Sequence, residues 1–144
     1  MPGQIVAALS ELPIADVVID VPMCVRESLR RSGKASPGAI RCAALIDSGA
    51  THSGVHIEIL NRLGIKHSDV ANLLTPTSGT TTRVKRYRVK LSVMLSPSPF
   101  SIDPLVVTAM AWDDSRFQVI VGIDVLKLGK FSIDGPGQSF SLEF

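Results

Sequence analysis

Apolar residues along the chain follow mainly the alternation that is typical of β-strands. Between Tyr87 and Leu95, apolar side chains occupy every second position and mostly polar ones lie between them. This alternation predicts a strand with one face buried and the other in water. Apolar and β-branched runs predict further strands at 15–25, 40–46, 102–111 and 117–121, and a terminal hairpin that joins 131–134 to 139–144.

Helical spacing is confined to two short segments. From Val55 to Leu63 apolar residues recur about every four positions, and Gly64 supplies a stop signal. A second helix of a turn or two is expected between Gly122 and Gly129. The polar segment 26–38 contains two glycines and a proline, so we predict a solvated loop there. A second loop, rich in Gly, Thr and Ser, is predicted at 76–82.

Composition favours a single soluble domain. The chain has 144 residues, 45% hydrophobic and 19% charged, with 15 basic and 13 acidic residues and a net charge of +2. This balance argues against nucleic acid as the principal partner. No apolar stretch is long enough for a membrane span, and no basic residue before Arg26 could begin a signal peptide. We therefore expect a cytoplasmic protein without a membrane partner.

Cysteine usage gives no framework for a metal or for disulfides. Cys24 and Cys42 are the two cysteines of the sequence, and their spacing matches no zinc signature. Two buried, reduced thiols are therefore expected.

Candidate chemistry lies where the predicted strand 40–46 ends. The segment Leu45–Ala50 reads LIDSGA and places the Asp47 carboxylate directly after a buried run, followed by a hydroxyl and a glycine that permits a tight turn. Residues 119–126, VIVGIDVL, repeat the arrangement of an apolar strand that ends at a glycine and enters a short helix. Asp124 in this second segment is interpreted as a helix-start carboxylate that accepts free N–H groups.

Together the two segments resemble the retropepsin family of aspartic proteases in their order, spacing and strand context. The sequence is similar in particular to the protease domain of eukaryotic DNA-damage-inducible ubiquitin-shuttle proteins, whose late helix is followed by a Ser-Ile-Asp strand, as at 132–134. The resemblance covers residues 15–144, so residues 1–14 are assigned as an N-terminal strand or tail. Retroviral members carry an ion pair at the positions of Thr51 and Ile123; both partners are absent here, which favours the cellular branch.

The resemblance implies a mostly β, retropepsin-like closed barrel with a flap hairpin and one or two short helices. It also implies a homodimer that cleaves polypeptides, because each chain supplies one catalytic aspartate, Asp47. Ser48, Gly49 and Ala50 would support the active-site loop, and no metal or organic cofactor is needed. For the partner surface, we expect the alternating apolar side chains of Phe140, Leu142 and Phe144 to face the second subunit.

By the same resemblance, residues 80–86 correspond to the flap that closes over substrate, with Thr82, Arg83 and Val84 at its tip. An ordinary exposed hairpin is the alternative. The basic residues of this region indicate either a preference for acidic substrates or a solvated strand edge.

Three other functions use the same residue types, and the first two of them fit poorly. His52 and His56 have the spacing of a helical zinc pair, but Ser53 stands where a metalloprotease needs its Glu base. Asp47, Ser48 and His52 have the residue types of a catalytic triad, yet lie too close along the chain to form its relay. The main alternative is a catalytically inert retropepsin-fold dimer that acts as an interaction or scaffold module.

Overall fold

The computed structural model describes residues 3–74 and 79–144, which form a mostly β protein. None of the helices in these two ranges is long and apolar enough to cross a membrane. The strands are β1 (Gln4–Ala8), β2 (Ile14–Asp20), β3 (Ile40–Ile46), β4 (Gly54–His56), β5 (Asp69–Leu74), β6 (Thr81–Val93), β7 (Phe100–Met110), β8 (Val119–Val121), β9 (Lys130–Asp134) and β10 (Ser139–Glu143). The helices are α1 (Met23–Arg31), α2 (Ile57–Leu63) and α3 (Ile123–Leu126).

Six strands close into a barrel. The larger sheet has the order β2-β3-β8-β4-β7-β6-β5, and an additional pairing of β2 with β6 closes the first six of these strands on themselves. β5 lies outside the closure and pairs with β6 as an antiparallel hairpin. The predicted mostly β closed barrel is confirmed.

The barrel core follows the alternation seen in the sequence. In β6, Tyr87, Val89, Leu91 and Val93 are all buried, and the residues between them face outward. Their apolar surface is removed from water together with that of β2, where Val17 is fully buried. The strand predicted from this pattern is therefore confirmed.

A separate three-stranded sheet, β1-β10-β9, packs against the barrel. Phe140 and Leu142 of β10 are each only 1% exposed and belong to the hydrophobic core of the same chain. The expectation of an intersubunit surface is therefore wrong for Phe140 and Leu142, because their own chain buries them, and for the half-buried Phe144 it stays a prediction. Residues 1–14, for which strand and tail were both open, contain β1, and the boundary at residue 15 stays a prediction.

The first part of the polar segment predicted as a loop, residues 26–31, belongs instead to the helix α1, whereas residues 32–38 form no helix or strand, as predicted. The preceding strand ends at Asp20, earlier than predicted, and α1 begins directly after Pro22, which is its N-cap. α1 is amphipathic but buries none of its residues. Cys24 lies exposed on this helix, which corrects the expectation that both thiols are buried. Cys42 is buried, and desolvation raises the pKa of its thiol, with Arg62 acting in the opposite sense.

The predicted helix at 55–63 is divided between two elements. Gly54–His56 forms β4, which pairs with β7 and β8, and the helix α2 begins only at Ile57. The predicted end is correct: Gly64 adopts a left-handed φ of 65° as the C-cap.

Candidate active site

Asp47 lies at the end of two adjacent parallel strands, β3 and β8. Its backbone N–H donates to the carbonyl oxygen of Val121 at 2.9 Å, which continues the β3–β8 ladder by one residue. The N–H of Gly49 donates to Asp47 Oδ1 at 2.9 Å, and the N–H of Ala50 donates to the Asp47 carbonyl oxygen at 3.2 Å. The half-buried carboxylate is thereby held by a tight turn of its own loop.

The next residues of this loop are accessible. Ser48 and Gly49 are exposed, and Ala50 is half-buried. The carbonyl oxygen of Ala50 accepts the N–H of Ile123 at 2.8 Å, so the loop is bound to the start of α3. The two sequence segments that carried the resemblance are therefore in direct contact.

This contact requires a glycine at position 122. A Cβ atom on Gly122 would lie 2.7 Å from the Ala50 carbonyl oxygen and 2.9 Å from the carbonyl carbon of His52. Both atoms belong to the backbone, which cannot move aside as a flexible side chain could. The absence of a side chain at Gly122 therefore fixes how closely the Asp47 loop approaches α3.

A buried serine links the same two segments. Ser53 is fully buried; its N–H donates to Asp124 Oδ2 at 2.9 Å and its hydroxyl to Asp124 Oδ1 at 2.7 Å. The Ser53 hydroxyl also accepts the N–H of Gly122 at 3.0 Å. Asp124 Oδ1 further accepts the N–H of Val125 at 3.0 Å, as expected of a carboxylate at a helix start. Sequence reasoning missed this role of Ser53; a small polar residue directly before an apolar run was its only signal.

The hairpin β5–β6 occupies the place of the predicted flap. Thr82, Arg83 and Val84 pair with Leu73, Asn72 and Ala71 of β5. They therefore lie within the ladder, and their assignment to the tip is wrong, because the strands remain paired up to Leu74 and Thr81. Of the loop predicted at 76–82, residues 76–78 lie outside the described residues.

A pocket of about 550 Å³ lies against one face of this hairpin. Its walls come from β5, β6 and the adjacent part of β7, and include Val84. His52 and Asp124 also line it, so the pocket extends to the segment that follows the Asp47 loop. Asp47 is not among the lining residues, so the pocket is a neighbour of this carboxylate and does not contain it.

An ion pair crosses the pocket wall. Arg86 Nε donates to Asp69 Oδ1 at 2.9 Å, and a second guanidinium nitrogen binds Asp69 Oδ2. This hydrogen bonding is the main reason why the pKa of Asp69 lies below its usual value. Both side chains are partly exposed, so the pair contributes little to stability but fixes the direction of the Arg86 side chain.

The two histidines do not share a helical face. His52 precedes β4 and His56 ends it. His56 Nδ1 accepts the N–H of Glu58 at 3.3 Å, and His56 Nε2 lies 3.2 Å from the carbonyl oxygen of Trp112. Both ring nitrogens of His56 are thus engaged, and the helical spacing on which a zinc pair depends is not present.

Comparison with known proteins agrees with this arrangement. The sequence profile of a family described as aspartyl protease matches residues 34–125, a range that contains both Asp47 and Asp124. Because this match covers more than half of the chain, the protein belongs to the aspartyl protease family. A search of curated protein sequences gives no match.

Solved structures give the fold. Ten chains match, among them the crystal structure of a retropepsin-like aspartic protease from Rickettsia conorii, with a TM-score of 0.59 and 15% sequence identity. The alignment covers 100% of this chain and 93% of that one. At this identity the likeness establishes a retropepsin-like fold.

Proposed function

We propose that this protein is a homodimeric aspartic endopeptidase in which Asp47 of each protomer supplies one of two catalytic carboxylates. The observation that carries the proposal is the position of Asp47: it follows β3 at the end of two parallel strands, and its Oδ1 accepts the N–H of Gly49. The segment lies inside the range that matches the aspartyl protease family. Because the sequence holds one Asp-Ser-Gly-Ala segment, a pair of such carboxylates requires two chains.

The proposed chemistry uses one proton and one water molecule between the two Asp47 carboxylates. One carboxylate takes a proton from the water while the water oxygen attacks the carbonyl carbon of the peptide. The other carboxyl group gives its proton to the carbonyl oxygen. This reaction needs no metal and no organic cofactor.

The loop residues have supporting roles in this proposal. The exposed Ser48 hydroxyl is available for a hydrogen bond to the partner's loop, and Gly49 and Ala50 keep the turn narrow enough to hold the carboxylate. Close packing of the Asp47 loop against Gly122 fixes the position of the loop relative to α3.

A partner surface next to this loop replaces the one predicted on β10. Ile123 and Leu128, at the start of α3 and just after it, are 41% and 54% exposed. Because the Ile123 N–H binds Ala50, an interface that covers these apolar side chains would also bring the two Asp47 loops together. We assign this surface to the second subunit.

The hairpin β5–β6 is assigned as the flap. Thr82, Arg83 and Val84 would contact substrate from its strands, and Val84 supports this role most directly because it lines the pocket. The finer resemblance to the cellular branch and the cytoplasmic location remain predictions from the sequence.

A second candidate function is the inert scaffold dimer. The exposed apolar residues Ile123 and Leu128 suit that role equally well, but a scaffold gives the Asp47 carboxylate no purpose. The two functions therefore differ in what happens when this carboxylate is neutralised.

The test is cleavage of an unfolded protein from acidic to neutral pH, with and without an aspartic protease inhibitor that mimics the transition state. We expect inhibitor-sensitive cleavage by the wild type, none by Asp47→Asn, and full cleavage by Asp113→Asn, a matched change at an exposed carboxylate. Sedimentation should show that all three proteins are dimers. Cleavage by purified Asp47→Asn would refute the assignment, and a dimeric wild type that never cleaves would favour the scaffold.

A further inference from the structure

We infer that the pocket against the β5–β6 hairpin selects substrates with an acidic side chain, and that Arg88 is the residue that determines this specificity. The inference rests on the proposed function, because it assigns the pocket as a subsite of the peptide substrate. It adds a chemical preference that the position of Asp47 alone does not imply.

The first step is the direction of the lining side chains. Successive residues of a strand point to opposite faces, and Val84, Arg86 and Arg88 are alternate positions of β6 that all line the pocket. In the β7 ladder, Arg86 is opposite Thr108 and Arg88 is opposite Val106, and both β7 residues also line the pocket. The two guanidinium groups are therefore on the pocket side of one continuous sheet.

The second step is to determine which lining charges are already engaged. Arg86 is bound by Asp69 through both carboxylate oxygens. Asp124 lines the pocket too, but its two oxygens already accept three hydrogen bonds, from Ser53 and Val125. Both carboxylates are therefore already engaged by groups of the protein, and Asp69 neutralises the charge of Arg86.

Arg88 differs from the other charged residues of the wall. It is exposed, and in ranges 3–74 and 79–144 it makes no hydrogen bond or ion pair. Its charge acts on Asp69 only through space, as the last and smallest of the influences on the pKa of that carboxyl. Among the described residues, Arg88 is therefore the lining arginine that no carboxylate neutralises by direct contact, and a guanidinium binds a carboxylate with two parallel hydrogen bonds.

The rest of the pocket suits the carbon chain of such a residue. Leu73, Val84 and Leu105 form an apolar part of the pocket wall. The pocket volume of about 550 Å³ is larger than the volume of one amino-acid side chain. His52 lies on the wall that adjoins the Asp47 loop, where its ring N–H can donate a hydrogen bond. An extended peptide that reaches from Asp47 to this pocket would place a side chain other than those at the cleaved bond against Arg88.

The experiment is a cleavage profile of a diverse peptide library, read by mass spectrometry, for the wild type, Arg88→Gln, Arg88→Glu and Lys90→Gln. Lys90 is two residues further along β6, opposite Asp20, and does not line the pocket. Its variant removes the same charge from the same strand and controls for general electrostatic attraction. A matched pair of peptides with Glu or Gln at the selected position then gives kcat/KM.

For the wild type and Lys90→Gln, we expect enrichment of Asp and Glu at one substrate position that is not adjacent to the cleaved bond. The Glu peptide should exceed the Gln peptide about tenfold in kcat/KM, the size expected for a partly exposed charge-assisted pair. Arg88→Gln should lose this preference, and Arg88→Glu should favour Lys or Arg at the same position.

Three results would overturn the inference. Cleavage without acidic enrichment, or enrichment unchanged in Arg88→Gln, would reject the role of Arg88 and leave the protease assignment standing. An absence of cleavage of every library peptide by wild-type dimer would reject both, and the inhibitor-sensitive assay on unfolded protein identifies that case.

Discussion

Ser53 and Asp124, 71 residues apart in sequence, are joined by two hydrogen bonds, from the serine N–H at 2.9 Å and from its hydroxyl at 2.7 Å. The same hydroxyl accepts the N–H of Gly122. One buried side chain therefore connects the segment after the Asp47 loop to both the end of β8 and the start of α3. This network and the hydrogen bond from the Ile123 N–H to the Ala50 carbonyl oxygen together anchor the Asp47 loop.

Ser53→Ala should destabilise the protein by about 1–3 kcal/mol, because it leaves the buried N–H of Gly122 without its acceptor and removes one donor from Asp124. Urea unfolding measures this loss. The exposed Ser115→Ala is the control and should stay within about 0.5 kcal/mol of the wild type. Equal unfolding midpoints for both variants would show that the network carries no stability.

Gly122→Ala should lower both stability and activity. The added methyl group would meet the Ala50 carbonyl oxygen at 2.7 Å, and relief requires a shift of the Asp47 loop. We expect a loss of about 1–3 kcal/mol, typical of overpacking, and a fall in cleavage at temperatures where the variant is fully folded. Gly38→Ala, where a Cβ meets nothing within 4 Å, should leave both properties unchanged. Full activity in folded Gly122→Ala would argue against the importance of the loop position.

Val84→Asp should reduce peptide turnover much more than stability. Val84 is half-buried, lies on the hairpin outside the barrel and lines the pocket. A carboxylate there would therefore contact bound substrate but not the barrel core. Cleavage rate and thermal midpoint, measured on the same preparation, separate the two effects. Thr81→Asp, on the same strand but outside the pocket wall, is the comparison. Parallel losses of rate and thermal midpoint in Val84→Asp would contradict the role of the hairpin in binding.

Asp114→Asn should make acid unfolding less steep. Hydrogen bonds from Arg116 lower the pKa of Asp114 from 3.8 to about 2, so the carboxylate is held more tightly in the folded protein than in the unfolded chain. Its contribution is complete above the unfolded value and is lost as the pH falls through about 2. Thermal midpoints measured from neutral pH down to this value should fall less in Asp114→Asn than in the wild type. Asp113→Asn serves as the neighbouring control and should follow the wild-type curve.

The barrel could be predicted from the sequence because its strands bury alternate residues, and that burial is written directly into β6. The position of Asp47 after β3 was predictable for the same reason: an apolar run that ends at an acidic residue marks both the strand and its end. In β3 and β6 the apolar pattern of the sequence therefore matches the burial of the side chains in the folded barrel.

Elements that depend on contacts distant in sequence, or on no burial at all, were not predictable. α1 buries no residue, and the helix breakers Gly33, Pro37 and Gly38 that follow it favoured a loop for the whole polar segment. β4 continues the helical spacing of α2, yet pairing with β7 and β8 draws Gly54–His56 into the barrel. The Ser53–Asp124 contact joins segments 71 residues apart, and no local pattern reports such a pairing.

The continuity of β6 limits how this protein can change in length during evolution. Val84, Arg86 and Arg88 of this 13-residue strand line the pocket. Tyr87 and the alternate residues after it point into the barrel interior. A single-residue insertion or deletion between Arg86 and Tyr87 would turn one half of the strand over, so either the pocket would lose its side chains or the core would receive polar ones. Relatives that keep both the barrel and the pocket should therefore differ here by an even number of residues, and substitution should be the usual route by which their specificity diverges.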